Sequence, residues 1–87
     1  MKIGDMVNHP RLFASMRVIY VRPVASDSTR GPEQRLGIVA VDASGYGHEW
    51  VTREDGQPTS TYGRSPNPAA LVAGMDRWIQ WQAEDTR

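Results

Sequence analysis

The chain predicts a mainly β fold: a small five-stranded antiparallel barrel followed by a C-terminal amphipathic α-helix. Three observations lead there. Short runs of β-branched and aliphatic residues recur along residues 3–63, clusters of Gly, Pro, Ser and Asp punctuate them, and from Pro68 the apolar period changes from two to about 3.6. Five short strands is a number that closes a small barrel.

The first strand is expected over Asp5 to His9, stopped by Pro10, which lacks the N–H that a central ladder requires. Arg11 to Ser15 then reads as a loop. Met16 to Val24 has the strongest strand pattern. Strict alternation places Met16, Val18 and Tyr20 on one face and Arg17, Ile19 and Val21 on the other. Leu36 to Val41 behaves alike, with Leu36, Ile38 and Ala40 opposed to Val39 and Val41, so both sheet faces carry apolar groups and something must cover the second. Ala25 to Arg35 holds Ser, Asp, Thr, Gly and Pro, which favour local side-chain to backbone bonds, and predicts a long loop. Asp42-Ala43-Ser44-Gly45-Tyr46-Gly47 is a hairpin signal leading into His48 to Arg53, where Trp50 is expected in the core. After a turn at Glu54 to Pro58, Thr59 to Tyr62 forms a last short strand, broken by Gly63 to Asn67.

Asn67 as N-cap and Pro68 at the first position mark a helix from Pro68 to Glu84. At 100° per residue Leu71, Val72, Met75, Trp78 and Ile79 share a stripe, opposite Ala73, Asp76, Arg77, Gln80 and Glu84. Trp81 falls at the stripe's edge, above the small residues Gly74 and Ala70, which leave a shallow shelf.

The 87 residues suffice for one domain, spanning 1–87, with a barrel over 3–63 and the helix over 68–84. Hydrophobic residues at 39% and charged ones at 23% are globular values, which sets the chain apart from disordered sequences. The absence of cysteine removes disulfides and thiolate zinc sites and fits a reducing compartment, so a cytoplasmic location is expected. No apolar run is long enough for a membrane span or a signal peptide, so no membrane partner is expected.

Net charge is zero but uneven. Residues 1–35 carry Lys2, Arg11, Arg17, Arg22, Arg30 and Arg35 against Asp5, Asp27 and Glu33, and the remainder has the opposite excess. That balance argues against broad nucleic-acid binding, which needs an uncompensated basic surface.

The opening Gly4-Asp5-Met6-Val7, then Met16-Arg17-Val18, then a strand ending in Trp50, resembles small bacterial SH3-like barrel proteins whose first strand reads Gly-Asp-x-Val and whose second reads Met-x-Val. The resemblance covers residues 3–51. It implies a five-stranded SH3-like barrel and says little about activity. His9-Pro10-Arg11-Leu12-Phe13-Ala14 replaces the Ser-Gly-Gly-Pro type of turn, and the long loop and terminal helix have no counterpart. A barrel-type dihydrofolate reductase also opens on Gly-Asp, but its Val-Gln-Ile-Tyr strand is missing here.

Catalytic and metal signatures are not recognisable. His9, His48, Asp5 and Glu49 do not have ligand spacing. Ser15, Ser44, Ser60 and Ser65 sit in turn contexts outside any nucleophile elbow, and Glu54-Asp55 and Glu84-Asp85 read as solvated pairs. Gly45-x-Gly47 lacks the context of a phosphate cradle. No cofactor is expected, and no enzymatic activity.

Three functional classes remain. The first is a protein-binding module, a stoichiometric regulator, inhibitor or adaptor of the kind prokaryotic mobile elements and phages use, with Trp81, Tyr46, Tyr62 and Phe13 as aromatic anchors and self-association through the helix or an open edge as one form of it. The second is a nucleic-acid-binding barrel using Arg17, Arg22, Arg30 and Arg35 beside Tyr20. The third is an unrecognised enzyme or ligand-binding protein.

Overall fold

The computed structural model describes residues 2–8, 15–24, 35–52 and 58–85, the side chains of 58–61 and 82–85 excepted. Five strands precede one helix: β1 (Met6–Asn8), β2 (Ser15–Val24), β3 (Arg35–Val41), β4 (Gly47–Thr52), β5 (Pro58–Ser65) and α1 (Pro68–Asp85). The expected loops over Arg11 to Ser15 and Ala25 to Arg35, and the turn over Glu54 to Pro58, lie outside the described residues except for their last residues, and Ser15, Arg35 and Pro58 are instead the first residues of β2, β3 and β5.

All neighbouring strands are antiparallel, in the order β1-β2-β3-β4-β5. The sheet is therefore an open meander. The expected barrel does not close, because β1 and β5 are its two edges and do not pair among the described residues. A three-residue β1 spends its pairing on Arg17, Met16 and Ser15.

A bulge in β2 changes which residues face which way. Val18 pairs with Ala40 and Tyr20 with Val39, so Ile19 is an extra residue on the β2 side. Beyond it the alternation is reversed. Tyr20 leaves the face of Met16 and Val18, Val21 joins that face, and Tyr20, Arg22 and Val24 turn to the other side. The strict alternation expected from the sequence is thus corrected at one position, and two apolar clusters result. Met16, Val18, Ile38, Ala40 and Trp50 form the first, with Val7, Val21 and Leu36 against it. Val24, Val39, Met75 and Ile79 form the second, which Ile19, Tyr20, Leu71, Val72 and Trp78 border. Trp50 is a core residue, as expected.

The second cluster is the contact between sheet and helix. Asn67 caps α1, its Oδ1 and its carbonyl both accepting from the Ala70 amide. Met75 and Ile79 are buried in the seam, each stabilising it by roughly 1.5–3 kcal/mol. Two glycines set the spacing. A Cβ on Gly37 would come within 2.9 Å of Met75 Sδ, and one on Gly47 within 2.8 Å of Pro68 Cα. The helix therefore rests on bare backbone at both places. The fifth strand continues through Gly63, where a break was expected, because Gly63 pairs with Glu49 and its missing side chain leaves space for the Glu49 carboxyl.

Gly47→Ala is expected to cost about 1–3 kcal/mol in urea unfolding, since helix backbone must retreat. Gly74→Ala, with open space around its Cβ, is expected to gain up to about 1 kcal/mol from helix propensity.

Candidate functional site

An open groove lies between helix α1 and the sheet, beside β4. Its walls are Ala70, Leu71, Gly74, Met75 and Trp78 from the helix, and its floor is Glu49, Trp50 and Val51. The volume is about 330 Å³ and the lining is mostly apolar, at the lower end of the roughly 300–1,000 Å³ of small-ligand pockets. Ala70 and Gly74 are why it is open: larger residues on that flank would fill it. Helical spacing continues the same row through Trp78 to Trp81, which is 58% exposed.

One charged group stands in this apolar setting. Glu49 is half-buried, and burial pushes its carboxyl above the usual range. Among the described residues it makes no hydrogen bond or ion pair. Metal ligation is not assembled around it, since no group of three His, Cys, Asp or Glu comes together among the described residues.

On the opposite helix flank, Asp76 Oδ1 accepts from the Tyr20 hydroxyl at 3.1 Å and from Arg22 Nη1. Burial raises the Tyr20 pKa, with Asp76 adding to the effect against Arg22. The Tyr20 and Asp76 contacts raise that of Arg22. The sequence stripe put Asp76 with the solvent-facing residues; it lies one turn after Val72, and the β2 bulge brings Tyr20 and Arg22 to meet it. Both partners of the ion pair are partly exposed, so its value lies more in fixing the helix direction than in raw stability.

A second polar chain lies in the β3–β4 hairpin. Asp42 Oδ1 accepts from the amides of Ser44 (2.8 Å) and Tyr46 (3.1 Å), and Gly45 takes a φ of 86° to close the turn. Asp42 Oδ2 lies 2.7 Å from Nε2 of His48, whose ring is only 3% exposed, and Tyr62 Oη lies 2.7 Å from Nδ1. A carboxylate only accepts, so Nε2 carries a proton, and in the neutral imidazole Nδ1 is then the acceptor and the Tyr62 hydroxyl the donor. The His48 N–H foremost, with the two backbone amides, holds the Asp42 carboxyl below its usual range despite burial. Chemically this chain fixes one imidazole tautomer and satisfies a buried ring across β4 and β5.

The sequence-selected residues do not converge. Trp81 is on the helix side of the sheet. Tyr62 pairs with Trp50 and so faces the other way, its hydroxyl engaged by His48 and the residue 38% exposed. Tyr46 is covered by the Arg64 guanidinium, 4.5 Å from the ring centre. Arg22 is held by Asp76. Arg17 borders a shallow depression of about 430 Å³ with Met6, Ile19 and Val41, and Arg35 is exposed at the start of β3. Phe13 and Arg30 lie outside the described residues. Sequence reasoning named Glu49 only as a metal candidate without ligand spacing and did not place it in a groove; its signal was a lone acid between glycines two residues away on its own strand and opposite it on the next.

The molecule so defined is an open antiparallel sheet backed by one helix, with an acid-floored groove between them. No helix is long and apolar enough to cross a membrane among the described residues. Comparison with known protein families, with curated proteins and with solved structures returns no match for this chain.

Asp42 gives a pH test. Its lowered folded pKa means that its contribution is full above the unfolded value, about 3.9, and is lost as pH falls through the folded value. Asp42→Asn keeps the turn's acceptor but opposes an NH₂ to His48 Nε2. Urea unfolding is expected to show a less stable variant at pH 7, with the difference from the parent shrinking below about pH 4.

Proposed function

We propose that the chain is a small non-catalytic protein-binding module that acts by stoichiometric attachment to a protein complex, as a regulator, inhibitor or adaptor. The observation that carries this reading is the concentration of accessible apolar surface along one helix flank, where the groove over Leu71 and Trp78 runs on toward the exposed Trp81. Aromatic side chains presented this way are the usual interface anchors, because they bury much area at low entropic cost. The likeness of residues 3–51 to small bacterial SH3-like proteins belongs to the same proposal and speaks for a scaffold whose surface is free to specialise. It leaves the partner to the added helix.

The nucleic-acid reading has less support. Arg22 is occupied by Asp76, which leaves Arg17 and Arg35 as the exposed described members of the set, at opposite ends of the β2–β3 pair. A basic surface of that kind neutralises few phosphates. Self-association uses the same helix flank or the edges at β1 and β5, where Ile3 and Met6 are exposed.

The test is co-purification from the native host with nuclease treatment, comparing the parent with Trp81→Ala, Gly74→Leu and, as a control on the exposed side of the helix, Ala73→Lys. A stoichiometric protein partner is expected to survive nuclease and the control. Trp81→Ala is expected to weaken it by about 2 kcal/mol, an anchor-sized loss. Loss on nuclease treatment moves the weight to nucleic acid, and indifference to both groove variants contradicts the surface.

A further inference from the structure

The groove contains a specification of what enters it. A carboxylate set in an apolar lining loses hydration, and without a protein donor beside it that cost is met when a ligand brings one. Glu49 is in this position: half-buried, its pKa raised, without a hydrogen bond or ion pair among the described residues. Arg77, on the exposed side of the same helix, makes no ion pair with it. The other helix flank shows the contrast, since there Asp76 is matched by both Tyr20 and Arg22.

The carboxyl is also held in place. It lies over Gly63 of β5, where a Cβ would come within 2.5 Å of Glu49 Oε1 and 2.9 Å of its Cγ. Bare backbone at 63 therefore lets the acid lie across the floor, and the small Ala70 and Gly74 leave the roof open above it. A suitable occupant has an apolar stem for Leu71 and Trp78 and a cationic head for Glu49. Lysine and arginine have that construction: an aliphatic chain that packs on apolar surface and a terminal charge.

We propose that the groove is a socket for a lysine or arginine side chain of a protein partner, with the aliphatic stem along Leu71 and Trp78 and the cationic head on the Glu49 carboxylate. This rests on the protein-binding reading and names the chemistry of its contact.

The test uses side-chain analogues, so that it does not depend on knowing the partner. n-Butylammonium stands for lysine, n-propylguanidinium for arginine and butyrate for a like-sized anion, each titrated into the full chain and followed by amide and indole NMR shifts. The cations are expected to give saturable shifts at Glu49, Gly74 and the Trp78 indole, and butyrate none. Glu49→Gln is expected to weaken the cations about tenfold or more, corresponding to about 1.4 kcal/mol. It is expected to fold as well as the parent at pH 7, because it replaces a carboxyl whose ionised form burial disfavours. Gly63→Ala retains the charge but displaces the carboxyl, and the same direction of loss is expected. Equal shifts with butyrate, equal binding by Glu49→Gln, or no shift in the groove would each overturn the socket. If the cations fail while Trp81→Ala still releases a protein partner, the socket is wrong and the protein-binding reading stands. If the cations bind while Glu49→Gln leaves partner capture unchanged, the occupant is a free amine and the proposed source is wrong.

Discussion

One extra residue in β2 decides how this molecule is put together. Without the bulge at Ile19, Tyr20 and Arg22 would both share a face with Met16 and Val18, leaving no polar contact for Asp76 on the helix. With it, β2 serves one cluster through Met16, Val18 and Val21 and the other through Ile19, Tyr20 and Val24. A single strand thus divides its apolar side chains between two cores. The helix acquires both an apolar seat and a directional anchor from the same stretch of chain, and an extra residue in one strand of an antiparallel pair is the local device that achieves this.

That anchor, with the two glycines beneath the helix, fixes where the groove lies. Gly37 admits Met75 and Ile79 close to β3, Gly47 admits the first turn close to the start of β4, and Tyr20 with Arg22 holds the β2 flank through Asp76. The remaining flank, built from Ala70, Gly74 and Trp78, has no comparable attachment over Glu49 among the described residues and stands open. Two features there run against stability: a glycine inside a helix costs about 1 kcal/mol relative to alanine, and a partly desolvated carboxyl without a donor among the described residues costs more than a neutral isostere. A site maintained at some expense to the fold is a recurrent property of binding surfaces. It gives the proposed socket a physical motive independent of any relative.

Much of the fold was legible in the sequence. Strand positions are right to within about a residue at most ends because alternation and turn residues mark them locally, and α1 is right because Asn67, Pro68 and the spacing from Leu71 to Ile79 mark it locally too. Three things were not. The bulge at Ile19 leaves no local signature, since Ile, Tyr and Val suit either face of a strand with two apolar sides. The openness of the sheet depends on what β1 and β5 fail to do together, which strand count cannot reveal. Continuation of β5 through Gly63 depends on Glu49 across the ladder, a non-local contact. The site was less legible than the fold: Trp81's exposure followed from helical spacing, whereas Glu49 was indistinguishable from a solvated acid until the helix lay over it.

The arrangement stands or falls on the direction in which Tyr20 points. Nuclear Overhauser contacts of the Tyr20 ring, in a uniformly labelled sample, report it without mutation. The ring protons are expected to contact Val72 and Asp76 of the helix and to show no contact with the Trp50 indole. Contacts from Tyr20 to Ile38 and Trp50, with none to α1, would mean that β2 alternates without a bulge, and the helix anchor and the groove it leaves would both be placed wrongly.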